Sequence, residues 1–283
     1  QSLPALFAAL EALSPRAHRF VRVDEAVREH LELLQDREAV QKQKEWFLEQ
    51  VRSRWMPPDD LVRNARSYNA CLAYTYTEPI VYLEYCIDTS TLARQQGVRT
   101  VMITGGSGEP GPMREALKVL DAVKIDLKGF TEGYYQKLCK GKLAPGLKII
   151  ETVRHSGVWL ELVHLVIPGH NDSEGEIRDM CRWVKRSLGA DVPLHFTRFR
   201  PDYQLRNLPP TPYATLRRCR ELGLAEGLHF VYTGNYPGVE GAHTSCPRCR
   251  KLVVRRHGFD LKELSIKDGR CGFCGHAIPG VWS

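Results

Sequence analysis

Residues 72–85 read LAYTYTEPIVYLEY, and the fold turns on how that stretch is divided. Its first half alternates β-favouring residues, and its second half carries apolar residues at helical spacing. Between them stands Thr77-Glu78-Pro79, where a proline lacks the N–H that a strand ladder needs and suits the first turn of a helix. The stretch therefore reads as strand, sharp turn, helix, with the carboxylate of Glu78 held at the turn. Such a carboxylate is either a simple strand terminator or part of a site at a strand end.

The same unit recurs along the chain. Strand-like runs are expected at 71–77, 98–104, 121–127, 158–167, 193–199 and 228–233, separated by helical patterns such as 79–96 and 211–226. This alternation predicts an α/β fold with a parallel sheet and crossover helices, either a whole or partial barrel or a doubly wound sheet. Function in such folds gathers at the C-terminal ends of the strands. The polar residues there are Thr77 and Glu78; Thr104, Gly105 and Gly106; Asp126 and Lys128; His164 with Asn171 and Asp172; and His195 with Arg198 and Arg200. Asn171 and Asp172 read either as site residues or as caps of a helix starting near Ser173. The Gly105–Gly108 loop matches neither nucleotide-binding fingerprint. Asp126 and Lys128 lie two apart, on one strand face, and read either as a site pair or as a structural ion pair. No nucleophile stands beside a base in the local sequence, which removes support for hydrolase chemistry.

At 283 residues with 43% hydrophobic content the chain can bury a full core. Its formal charge of +7 comes from 40 basic and 33 acidic residues that are interspersed, a mild bias that permits an anionic partner without requiring one. Residues 3–13, LPALFAALEAL, lack the basic flank and cleavage site of a signal peptide, and no run has the length of a membrane span. The expected location is cytoplasmic. Of nine cysteines, Cys71, Cys86, Cys139, Cys181 and Cys219 are scattered and read as core. Cys246, Cys249, Cys271 and Cys274 form two C-x-x-C pairs about twenty residues apart, the spacing of a zinc ribbon. Four thiolates fill a tetrahedron, so the expected ion is structural zinc, with a rubredoxin-like iron as the alternative.

Several segments then converge on one family. AYTYTEP, IDLKGF, VIPGHND, HFTRFRPDYQLRNLPPTP, YTGNYPG and the CPRC…DGRCGFCGHAIPGVW tail, in order from about Trp55 to Ser283, resemble the AmmeMemoRadiSam-system radical SAM proteins, relatives of pyruvate formate-lyase-activating enzymes. The resemblance implies a partial (β/α)6 barrel holding S-adenosylmethionine and a [4Fe–4S] cluster, with a 5′-deoxyadenosyl radical abstracting hydrogen from a substrate or partner. It implies that Tyr76, Thr77 and Glu78 bind the methionine ammonium and that Thr104 and Gly105 lie along the cofactor. It also implies that Asp126 and Lys128 lie near the methionine carboxylate and ribose, and His195 near the adenine or the substrate. Relatives usually read Thr-Asn-Gly where this chain reads Thr104-Gly105-Gly106.

One departure bears on mechanism. The family's C-x-x-x-C-x-x-C motif is absent from the 283 residues, and no two of the five scattered cysteines lie within ten residues of each other. Residues 24–54, without Gly, Pro or Cys, read instead as a long polar helix. A reading-frame change before Arg54-Trp55-Met56, natural loss of the cluster, or ligands carried by further chain would each explain this. The expected organisation is an atypical charged helical segment at 1–54, a barrel at 55–240 and a zinc-ribbon-like tail at 241–283. An uncovered barrel edge would favour self-association. The basic residues around the first knuckle offer a second kind of function, a zinc-ribbon scaffold without catalysis. Nucleic acid is disfavoured for lack of stacking aromatics.

Overall fold

The computed structural model describes residues 56–282 apart from 77, 237–239 and 259. The segment 1–54 and the helix expected over 24–54 lie outside the described residues, as does Thr77. Six parallel strands, β1 (Leu72–Tyr74), β2 (Thr100–Thr104), β3 (Ala122–Asp126), β4 (Trp159–Val166), β5 (Leu194–Arg198) and β6 (Val231–Gly234), pair in sequence order into one sheet. Helices α2 (Leu83–Gln95), α3 (Pro110–Leu117), α4 (Leu143–Ser156), α5 (Glu174–Trp183) and α6 (Tyr213–Ala225) carry the crossovers, and α1 (Pro58–Ser67) precedes β1 and packs beside α2. The neighbour order leaves β1 and β6 as edges, so the sheet is a partial (β/α)6 barrel.

Strand periodicity sorts the side chains onto two faces. Met102, Val123, Ile125, Leu160, Leu162, Leu194, Phe196 and Val231 turn outward and pack with Met113, Ile149, Ile177, Met180 and Leu216 of the helices in one core. The alternate residues, Lys124, Asp126, Glu161, Val163, His195, Thr197 and Tyr232, share the opposite face. Register rows run across the strands there: Asp126 lies beside Val163, Val163 beside His195, and His195 beside Tyr232. A sheet needing only a barrel interior would fill those positions with branched apolar residues. Here that face is mixed: Lys124, Asp126, Glu161 and His195 are polar, while Val101, Ile103, Ala122 and Trp159 form an apolar cluster with Val281.

The tail follows β6. Strands β7 (Thr244–Ser245), β8 (Leu252–His257) and β9 (Asp260–Leu264) form an antiparallel sheet, and β10 (Ile266–Lys267) pairs with β11 (Arg270–Cys271). Its small core of Phe230, Cys246, Val253, Val254, Cys271 and Ile278 takes Tyr232 as a neighbour, seating the tail on the β6 edge.

Candidate functional site: the strand mouth and the four-cysteine tail

The turn at the end of β1 is tied to the end of β2 through Glu78. Its Oε1 accepts from the Thr104 hydroxyl, its Oε2 accepts from Gly105 N–H at 2.8 Å, and Oε1 also faces Ile80 N–H at 3.4 Å as the cap of the Pro79–Tyr82 turn. Thr104 Oγ1 in turn accepts from Gly106 N–H at 3.0 Å. A side chain at position 105 would meet Glu78 Oε2 at 3.2 Å and Lys128 Nζ at 3.9 Å. Glycine therefore lets a carboxylate and an ammonium flank the same backbone position. Tyr76 reaches the turn through a left-handed backbone (φ 39°), its side chain exposed.

The other expected site residues divide. Asp126 pairs with Lys124, Nζ to Oδ1 3.1 Å, rather than with Lys128, because Lys124 is the residue two earlier on the same inner face while Lys128 lies beyond the strand end. His195 is the second residue of β5 and sits lower in the cup than a strand-end residue would. Its Nε2 is 2.8 Å from Glu161 Oε2, and its ring stacks on Tyr232 with centroids 4.9 Å apart. Glu161 is buried, which would raise its pKa. The donors His195 and Trp159, with the charge of Arg256 from the tail, outweigh burial and hold the carboxyl below its usual range. No linear pattern marks Glu161 as the partner of His195, since the two lie on different strands.

His164 and Asn171 are structural. His164 Nδ1 is 2.8 Å from Leu127 O, and Asn171 donates from Nδ2 to Lys128 O and Leu165 O and accepts from Ile167 N–H. Together they stitch the ends of β3 and β4. The α5 cap is Ser173, accepting from Glu176 N–H, while Asp172 accepts from Gly169 N–H. Full burial lowers the His164 pKa against two carbonyl contacts that raise it. The unfolded chain therefore takes up this proton below about pH 6.5 while the folded chain does not, so its contribution is intact above that pH and is lost as pH falls. Urea denaturation at pH 7.5 and 5.5 is expected to show a lower midpoint in acid, with a slope up to about 1.4 kcal/mol per pH unit from this group. His164→Gln should reduce that dependence; an unchanged dependence would contradict the assignment.

In the tail the sulfurs of Cys246, Cys249, Cys271 and Cys274 lie within 4.8 Å of one another. Cys246 and Cys274 are 3.6 Å apart and Cys249 and Cys271 are 3.7 Å apart. Four thiolates about 2.3 Å from one ion would be separated by about 3.8 Å, so the set fits one tetrahedral metal. A four-iron cube needs thiolates spread around separate corners and does not fit. No other group of three or more ligating side chains converges among the described residues.

The comparisons with known proteins agree with the six-stranded parallel sheet. The Radical SAM superfamily model matches residues 41–181. An uncharacterized protein of Methanocaldococcus jannaschii is 42% identical over 236 residues, covering 82% of this chain and 70% of that protein. The pyruvate formate-lyase-activating enzyme of Clostridium pasteurianum is 28% identical over 142 residues, 46% of this chain and 59% of that enzyme. A domain of pyruvate-formate lyase-activating enzyme from Bacteroides vulgatus has a TM-score of 0.51 at 20% identity, covering 58% of this chain and 98% of that domain, a likeness of fold. The chain belongs to the radical SAM superfamily. It carries the superfamily's α/β sheet together with a cysteine cluster able to bind a metal.

No helix among the described residues is long and apolar enough to cross a membrane.

Proposed function

We propose that this chain binds S-adenosylmethionine at the mouth formed by the ends of β1, β2 and β3, in the manner of an activating-enzyme relative, and holds one structural zinc in its tail. The observation that carries the reading is the pair of opposite charges, Glu78 and Lys128, on either side of Gly105. A methionine moiety is itself a zwitterion, and a carboxylate and an ammonium at one strand mouth complement it. Lys128 forms no ion pair among the described residues and is exposed, which leaves its charge for the methionine carboxylate. Glu78, braced by Thr104 and Gly105, fixes the turn whose acceptors would receive the ammonium. Asp126 and His195 line the same inner face deeper in the cup, toward the ribose, adenine or substrate.

Bound S-adenosylmethionine supplies the superfamily's chemistry, a 5′-deoxyadenosyl radical on one-electron reduction. The [4Fe–4S] cluster that delivers this electron in the superfamily finds no ligand set among the described residues, and the sequence contains no C-x-x-x-C-x-x-C. That same observation favours a second reading, a cofactor cradle and metal tail serving as a scaffold.

Thermal unfolding of the intact chain tests the binding claim. S-adenosylmethionine is expected to raise Tm, and Lys128→Gln is expected to weaken binding about tenfold by removing one charge-assisted contact. No shift in the wild-type chain would refute the cradle.

A further inference from the structure

Between α6, the β6 edge and the first cysteine knuckle lies a cleft of about 150 Å³. Its polar lining comprises Arg220, His229, His243, Ser245 and Arg250, and none of its lining residues carries a carboxylate. Arg220 donates from Nε to Val231 O, which fixes its guanidinium at the wall, and neither it nor Arg250 forms an ion pair among the described residues. His243 Nδ1 accepts from Arg256 N–H at 3.3 Å. His229 Nδ1 is 2.7 Å from Asp191, an exposed residue outside the lining. Two arginines and a serine therefore line one cleft whose lining residues include no carboxylate, while the Asp191 partner of His229 stands outside it.

The two knuckles give an independent observation. Each closes on a residue that follows its second cysteine and donates its N–H back to its first: Arg250 to Cys246 O at 2.9 Å and Gly275 to Cys271 O at 2.8 Å. Both residues are left-handed, with φ of 62° and 70°. Glycine accepts that conformation freely, whereas arginine is strained in it. The first knuckle thus keeps a cationic side chain where its twin has glycine, and that side chain borders the cleft. The surroundings extend the charge, since residues 241–283 hold eight Lys and Arg against three Asp and Glu, five of the chain's formal +7.

We propose that this cleft binds a phosphate group, recognised by Arg220 and Arg250, either as a small phosphorylated ligand or as a phosphodiester of a single nucleic-acid strand. Guanidinium forks match phosphate oxygens in pairs, which a lysine or a solvated basic face does not.

The test is binding of inorganic phosphate, by calorimetry, and of a short fluorescent oligothymidylate, by anisotropy, to the intact metal-loaded chain, its Arg250→Gly variant and its Arg220→Gln variant. At least one probe should bind wild type. Arg250→Gly should weaken that binding tenfold or more while leaving Tm unchanged or higher, since glycine relieves the strain, and Arg220→Gln should weaken it similarly. Oligonucleotide binding that phosphate competes away and salt weakens would identify a strand as the source. Phosphate binding alone would identify a small ligand. If neither probe binds, or both variants bind as wild type does, the proposal is overturned.

Discussion

Cys271→Ser is expected to cost the chain its tail metal and the order of its tail with it. The core of that tail has six buried residues, two of which are ligands, Cys246 and Cys271. So little apolar surface does not hold a sheet of this size together unaided. A metal held by the four cysteines would supply the difference, as structural zinc does in small domains at about 10–16 kcal/mol of apparent binding free energy. One thiolate of four carries about a quarter of that, about 2.5–4 kcal/mol, so apparent affinity should fall on the order of a hundred- to a thousandfold. The thiols share their protons: against burial, the N–H groups of Phe273 and Cys274 lower Cys271, while the neighbouring thiols raise Cys274, so the first thiolate of the set falls on Cys271. Zinc analysis and hydrogen exchange over β8 and β9 would show the loss, with the six-stranded sheet unaffected. Retention of a full equivalent of zinc by the variant would contradict the four-thiolate assignment.

Glu78→Ala is expected to be costly at the other end of the molecule. Its carboxylate accepts from the Thr104 hydroxyl and from Gly105 N–H, and Thr104 is almost wholly buried. Without it, two donors at the strand mouth lose their acceptor, at about 1–3 kcal/mol of stability. The turn carrying Tyr76 and Pro79 is also released from β2, so affinity for S-adenosylmethionine should fall tenfold or more. Urea denaturation and calorimetry separate the two effects, because Lys128→Gln, on an exposed residue, should lower affinity with little change in stability. A Glu78→Ala chain as stable as wild type and binding equally well would remove Glu78 from the account.

How far these sites are legible in the sequence depends on how local their causes are. The six strands are legible because each is a short apolar run closed by glycine, proline or charge, and all six occur near their expected positions. The first run, expected over 71–77, pairs only over Leu72–Tyr74, since the backbone turns left-handed at Tyr76 ahead of Pro79. The cysteine knuckles are legible because ligand spacing is itself local. What the sequence hides is register. That His195 finds Glu161 depends on how strands separated by tens of residues align, whereas Asp126 meets Lys124 within one strand because β3 ends before Lys128. The cleft beside the first knuckle is likewise hidden, as Arg220 and Arg250 come to line one cleft only when the tail folds back on β6.

We propose that the tail cysteines of this radical SAM chain hold one tetrahedral ion, a geometry that does not suit a four-iron cluster. Iron, sulfide and zinc analysis of the intact chain after anaerobic reconstitution tests it most directly. One zinc per chain with no bound iron or sulfide is the expected result. About four irons with matching sulfide beside that zinc would contradict it and would restore the full radical mechanism.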